Sequence, residues 1–225
     1  MRRIDAGALK TFGIEPLQLM EVAGTQVARF VDDWLAGAAG TSIGVIAGAG
    51  NNGGDALTAA RFLAQRGAQV TAWIVQPTRP NGLAARHART LRAMGIACAD
   101  AGVGLDLAVD LVLDGLLGSG IRLPLREDVA PIIAAMNASN APIIAVDIPS
   151  GLDADTGAGD DRCVRAAATL TLGLPKPGMV GIPAVGRLFI ADIGLPVALF
   201  GPDQDAVQAL YRHGDLLELR PPKLE

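Results

Sequence analysis

Asn51, Asn52 and Asp55 stand in a glycine-rich turn, GAGNNGGD (48–55), that closes an apolar run and opens a helical one. Glycines at such a junction leave backbone N–H groups exposed at a helix N-terminus, which suits an anion such as phosphate. The turn satisfies GxGxxG, but the usual dinucleotide fold also needs an acid about 20 residues on, at the end of the second strand, to hold ribose hydroxyls. Here that strand ends in Val75, Gln76 and Pro77. No lysine follows the glycines, so a P-loop is excluded as well. Gly50, Gly53 and Gly54 already supply the turn, so the paired asparagines are surplus to its geometry. Asp55 reads equally as a site residue or as a cap that complements the helix dipole.

Two further loops combine acids with glycines. In DGLLGSGIRLP (114–124), Asp114 ends an otherwise apolar run, where a carboxylate needs a partner or a cation. Gly118, Ser119 and Gly120 form a second turn with accessible backbone, and Arg122, between Ile121 and Leu123-Pro124, offers a fork suited to phosphate. In DIPSGLDADTG (147–157), Asp147 follows the apolar IIAV, while Asp153 and Asp155 read as Asx-turn residues. Lys176, in LGLPKPGM (172–179), is either a solvated loop lysine or a fourth member of the site. His87 and His213 stand apart from one another and from Cys98 and Cys163, so zinc chemistry and a Ser-His-Asp triad lack their parts. A set this rich in oxygen donors suits a hard cation beside an uncharged or phosphate-bearing ligand.

The elements that must position these loops follow from the apolar pattern. SIGVIAG (42–48), QVTAWIVQ (69–76), LAVDLVLDG (107–115), APIIAVDIP (141–149), ATLTLG (168–173) and RLFIADIG (187–194) read as strands. Their unalternating, β-branched character predicts burial on both faces, hence a parallel sheet between helices. Helices are expected over DALTAARFLAQRG, over 81–95 and within VAPIIAAMNAS. An earlier one places Met20, Val27, Phe30, Val31 and Trp34 at helical spacing, with Pro16 in its first turn and Gly37 at its stop. Only loops join the last two strands to what precedes them, so that end of the sheet lacks a full set of crossover helices. The expected fold is a Rossmann-like three-layer α/β/α sandwich with a mostly parallel sheet, in which ligands bind outside the carboxyl ends of the strands. It is expected to occupy residues 1–215 after a short polar arm, with 216–225 as a polar, proline-rich tail.

The bulk properties agree. A chain of 225 residues, half of them apolar, buries a core without metal or disulfide staples. A net charge of −4 with no basic run argues against nucleic acid as a partner. No uncharged run reaches membrane-span length and no apolar signal core opens the chain, so a cytoplasmic location is expected.

NNGGD, DGLLGSG and VDIPSGLDADTG, in that order and preceded by LMEVAG (19–24), resemble the NAD(P)H-hydrate epimerase family, the YjeF N-terminal domain. The resemblance covers roughly residues 3–215. It implies an isomerase of metabolite repair that interconverts the R and S epimers of C6-hydrated NADH and NADPH (NADHX and NADPHX). An ATP- or ADP-dependent dehydratase would be its functional partner, and a homodimer its assembly. It implies that Asn51, Asn52, Gly53, Gly54 and Asp55 bind the dinucleotide, as do Gly118, Ser119, Gly120, Ile121, Arg122, Leu123 and Pro124. Asp147 would contact the substrate and serve as its acid–base group. Asn52, Asp114 and Ser150 would hold a potassium ion. Two positions depart from the family pattern: Ala56 replaces a usual glycine, and Val22 an asparagine common among relatives. The ending RPPKLE resembles the start of a fusion linker. The alternatives are a non-catalytic nucleotide-binding or scaffold module of the same fold and a Rossmann oxidoreductase, for which the ribose acid is missing.

Overall fold

The computed structural model describes residues 2–75, 81–101, 105–121, 123–159 and 162–220. Its elements run α1 (Arg2–Phe12), α2 (Pro16–Trp34), β1 (Ser42–Ala47), α3 (Asn51–Gln65), β2 (Gln69–Ile74), α4 (Leu83–Ala93) and β3 (Ala97–Asp100). There follow β4 (Leu111–Gly115), α5 (Ala130–Ala138), β5 (Ile143–Val146), β6 (Ala168–Leu172), β7 (Arg187–Ala191), α6 (Gln204–Tyr211) and β8 (Leu216–Leu219). The sheet has the order β3-β2-β1-β4-β5-β6-β7-β8, parallel throughout except where β8 closes the edge antiparallel to β7. This is the expected three-layer, mostly parallel fold.

The pleat explains why β1 and β5 show no polar face. Along β1, Ile43, Val45 and Ala47 pack into the larger core with α2, α3 and α4, while Ile46 joins the core under α5. In β4, Leu111 and Leu113 take the first side and Val112 the second. Successive residues point to opposite faces, so a sheet covered twice needs apolar residues at every position. Among the described residues no helix intervenes between β5 and β6, and β6 and β7 are joined through short turns at Pro177–Met179 and Pro183–Val185. The loops there close over a third, small cluster of Ile148, Leu152, Cys163 and Met179.

Three segments differ from the expectations of the sequence. The polar arm is a helix, α1, whose Ala8 is fully buried and whose other described side chains are largely exposed. The connector at 97–100 is an edge strand, paired with β2. The segment expected to begin a tail is β8, with Leu217 opposite Ile190 and Leu219 opposite Leu188. Residues 221–225 lie outside the described part, as do 76–80, which include Gln76 and Pro77. No helix among the described residues is long and apolar enough to cross a membrane.

One buried polar group in this scaffold gives stability a pH dependence. His87, on α4, is 5% exposed, and its Nε2 finds no hydrogen-bond partner among the described residues. Burial holds its pKa below the ordinary 6.5; Glu21 opposes that shift, and Arg61 and Arg86 reinforce it. The unfolded chain therefore binds a proton that the native state refuses as pH falls below 6.5, and stability drops over that window. Urea midpoints of wild type and His87→Leu should diverge to the disadvantage of the wild type between pH 7 and pH 5. A pH-independent difference between them would sink this assignment.

Candidate active site at the switch in strand order

β1 and β4 are neighbours, and the chain leaves them toward helices on opposite faces, which opens a crevice at their carboxyl ends. The two departing turns are pressed together. Gly48 N donates to Gly115 O at 3.0 Å, and a Cβ at Gly48 would lie 1.9 Å from Leu116 O. At Gly53 a Cβ would lie 1.9 Å from Gly48 O, so the turn also doubles back on itself. Only glycine allows both approaches. Asn52 then ties the turns across the crevice, its Nδ2 donating to Leu117 O at 2.8 Å. The methyl of Ala56 is fully buried and faces Gly115, where a second Cβ would be 2.4 Å away. The departure from the family pattern at Ala56 is thus accommodated by the glycine opposite.

Asp114 is the polar keystone of the crevice floor. It has no exposed surface and accepts hydrogen bonds from Ser150 Oγ (2.6 Å), Ser150 N (2.9 Å) and Leu116 N (3.1 Å). Ser150 Oγ in turn accepts from Leu117 N at 2.8 Å. Burial still dominates, raising the carboxyl to about 6 against the pull of the Ser150 and Leu116 hydrogen bonds. Beside it, the Oδ1 of Asn52 is buried and accepts nothing from any described residue. A buried acceptor without a donor and a buried carboxylate without a countercharge both lack a positive partner. Among the described residues no group of three His, Cys, Asp or Glu side chains could hold a metal ion. The donors available are amide, hydroxyl and one carboxylate oxygen, which fits a hard ion of low charge rather than zinc. The three residues named for potassium from sequence are therefore brought together through Leu117 and suit such an ion.

Asp147 occupies strained backbone. Its φ is +64°, and Ile148 N donates to Val146 O at 2.7 Å, so the chain makes a three-residue γ-turn immediately after β5. A non-glycine residue in that region costs about 1–3 kcal/mol, and such strain concentrates at functional sites. Leu172 N (3.1 Å) and Lys176 Nζ both donate to its Oδ1. Lys176 is 5% exposed, so it belongs to the site and is not a solvated loop lysine. Asp153 accepts from Thr156 N and Oγ1 (2.8 Å each) and Asp155 N (3.1 Å), hydrogen bonds that lower its pKa and give it the turn role expected of it.

The crevice has a volume of about 1000 Å³. Its polar wall includes Asn51, Asn52, Asp55, Gly118 to Ile121, Pro124, Asp147 and Lys176. Gly53 and Gly54 are buried and do not line the crevice. Asp114 and Ser150 lie fully buried behind it. Leu123 stands at the rim, 40% exposed, and Arg122 lies outside the described residues. The facing wall is one that sequence reasoning missed. It is apolar, built by Ala6 and Leu9 of α1 and by Pro16, Leu19, Met20 and Ala23 of α2. LMEVAG was the available signal, and the relevant member is Met20, whose side chain reaches Gly54. Val22 points outward, 41% exposed.

The family described as YjeF-related protein N-terminus matches residues 16–178, most of the chain and all three loops. The chain belongs to that family. Within it, the NAD(P)H-hydrate epimerase of Rhodopirellula baltica is 36% identical over 207 residues, 88% of this chain and 84% of that protein. The bifunctional NAD(P)H-hydrate repair enzyme Nnr of Hyperthermus butylicus is 38% identical over 204 residues, 86% of this chain but only 37% of the relative's length. The crystal structure of yeast ynu0 superposes with a TM-score of 0.70 at 24% identity, over 84% of this chain and 85% of that one, and so shares the fold.

The paired glycine turns give a direct test of this YjeF-type floor. Gly53→Ala should lower stability by roughly 3 kcal/mol in urea unfolding, because the methyl has backbone in its way. At Gly50 a Cβ meets nothing within 4 Å, and Gly50→Ala should cost no more than about 1 kcal/mol. Equal losses at the two positions would contradict the packed-turn geometry.

Proposed function

We propose that this chain is an NAD(P)H-hydrate epimerase, interconverting the R and S epimers of C6-hydrated NADH and NADPH. The observation that carries the reading is Asp147, held in strained backbone at the wall of a dinucleotide-sized crevice whose other loops are the NNGGD and GSG turns. Likeness to the Rhodopirellula baltica epimerase over most of both chains supports it. So does the integrity of all three loops, which separates the chain from a scaffold relative with a degraded site. No acid follows β2, where Val75 lines the crevice, so the ribose-clamping feature of a Rossmann oxidoreductase is missing.

In this reading the N-terminus of α3, with Asn51 to Asp55, receives the phosphates, and the 118–124 loop binds the other side of the dinucleotide. The apolar wall from α1 and α2 accommodates the uncharged hydrated ring and keeps bulk water away. A proton delivered to the C6 hydroxyl lets the ring nitrogen expel water and form an iminium. Water then returns to either face, and a base removes its extra proton. Asp147 is the acid–base group at the reacting carbon. Asn52, Asp114 and Ser150 would hold a potassium ion, whose charge would compensate Asp114 and fasten the three loops together. The product S epimer suits a separate ATP- or ADP-dependent dehydratase as the next enzyme. We further propose a homodimer and a cytoplasmic setting.

Two measurements test this. Purified protein mixed with the R epimer of NADHX and an S-specific dehydratase should restore NADH absorbance well above the spontaneous rate. Asp147→Asn should lower that rate by about 100-fold or more. Asparagine tolerates left-handed backbone, so the variant should keep its fold. Independently of activity, potassium chloride at about 100 times its Kd should stabilise the protein by about 2.7 kcal/mol over tetramethylammonium chloride of equal strength. Ser150→Ala should abolish that increment, and an unchanged increment would remove Ser150 from the ion site.

A further inference from the structure

Any route that removes a hydroxyl from C6 and returns water to it needs both a proton donor and a proton acceptor. Among the described residues, the ionisable side chains lining the crevice are Asp55, Arg126, Asp147 and Lys176. Arg126 is engaged by Asp128 at 2.9 Å, and a guanidinium does not release its proton in proteins. Asp147 is ion-paired with Lys176, and an ionised carboxylate in such a pair is an acceptor only. Lys176 Nζ lies within hydrogen-bond reach of Asp147 Oδ1, of Thr171 Oγ1 at 2.8 Å and, weakly, of Leu172 O at 3.5 Å.

The loop that carries Lys176 is fixed in place. Lysines are rarely buried to this degree without a dedicated partner. Pro177 restricts the residue before it to extended backbone, and Lys176 lies in that region with φ −86° and ψ 146°. Gly178 is clamped onto the loop that follows Asp147: its N donates to Ala154 O at 2.9 Å, and a Cβ there would lie 2.3 Å from Gly157 N. Met179, 1% exposed, anchors the turn in the small core that also contains Ile148, the residue after Asp147. Both members of the pair are thus positioned by one packed unit at the crevice wall.

We propose that Lys176 is a second catalytic residue, the acid of a pair in which Asp147 is the base; this rests on the epimerase reading above. The Nζ–H proton passes to the C6 hydroxyl, the C6–O bond breaks with its electron pair leaving as water, and the ring nitrogen's lone pair forms the iminium. Lys176 is then a neutral amine. Water adds to C6 on either face and loses a proton to the Asp147 carboxylate. The proton crosses the existing Asp147–Lys176 hydrogen bond, which restores carboxylate and ammonium. Thr171 orients Nζ during the cycle.

The test uses the R-epimer assay on wild type, Lys176→Arg and Lys176→Ala, each checked for folding by its urea midpoint. Lys176→Arg retains charge and hydrogen-bond donors but lacks a transferable proton, so it should fold and lose about 100- to 10,000-fold in rate. Lys176→Ala should lose as much and regain activity with added primary amines, the rate following the amine's pKa. A purely structural or charge-balancing lysine predicts the opposite: recovery in the arginine variant and no dependence on the amine's acidity. Wild-type-like turnover in either variant overturns the proposal while leaving the epimerase reading standing. Absence of acceleration by the wild type overturns both.

Discussion

The Asp114 carboxylate, wholly inside the protein at the end of a central strand, is the constraint around which the rest is arranged. Water cannot solvate it, so the loops after β4 and β5 must supply donors, and they do so through Ser150 and Leu116. Asn52 extends the connection to the loop after β1 through Leu117 O. Three turns that belong to different parts of the chain are thereby held at fixed separations. Removing one partner of such a buried charge costs more than the hydrogen bond itself, because the charge stays behind. The turns are short and rich in glycine for a related reason: their backbones must approach within contact distance of one another around this group.

The crevice consequently has two halves of different character. On the β1 and β4 side, helices and glycine turns present backbone, as anion sites require. On the β5 and β6 side the crossover helices are missing, and side chains take over, with Asp147 and Lys176 held by loops packed on a small apolar cluster. In the proposed epimerase reading, binding and chemistry fall to the regular and the irregular ends of one sheet.

Much of this was legible in the residues. β1, β2, β4, β5, β6 and β7 are mainly apolar runs because the sheet is covered on both faces, and the three loops follow from where those runs stop. β3 escaped because Ala97–Asp100 is a half-exposed edge strand without branched residues. β8 escaped because Leu-Leu-Glu-Leu is half-buried along its length and owes its state to pairing with β7. Among the described side chains of α1 only Ala8 is fully buried, and the helix's place in the crevice wall is a tertiary fact. For Lys176 the sequence left both loop and site open. Its burial depends on Gly157 and Gly178 meeting across two loops, which spacing does not encode.

The direction of β8 has a practical side. Leu216 lies beside Ala191, near the crevice, and Leu219 beside Leu188, so the strand carries the backbone toward the opposite end of the sheet. A tether, dye or surface attachment joined beyond Arg220 would start from the back of the domain. The mouth of the crevice would remain open to a diffusing ligand, which makes that end the natural handle for immobilising the protein in binding work.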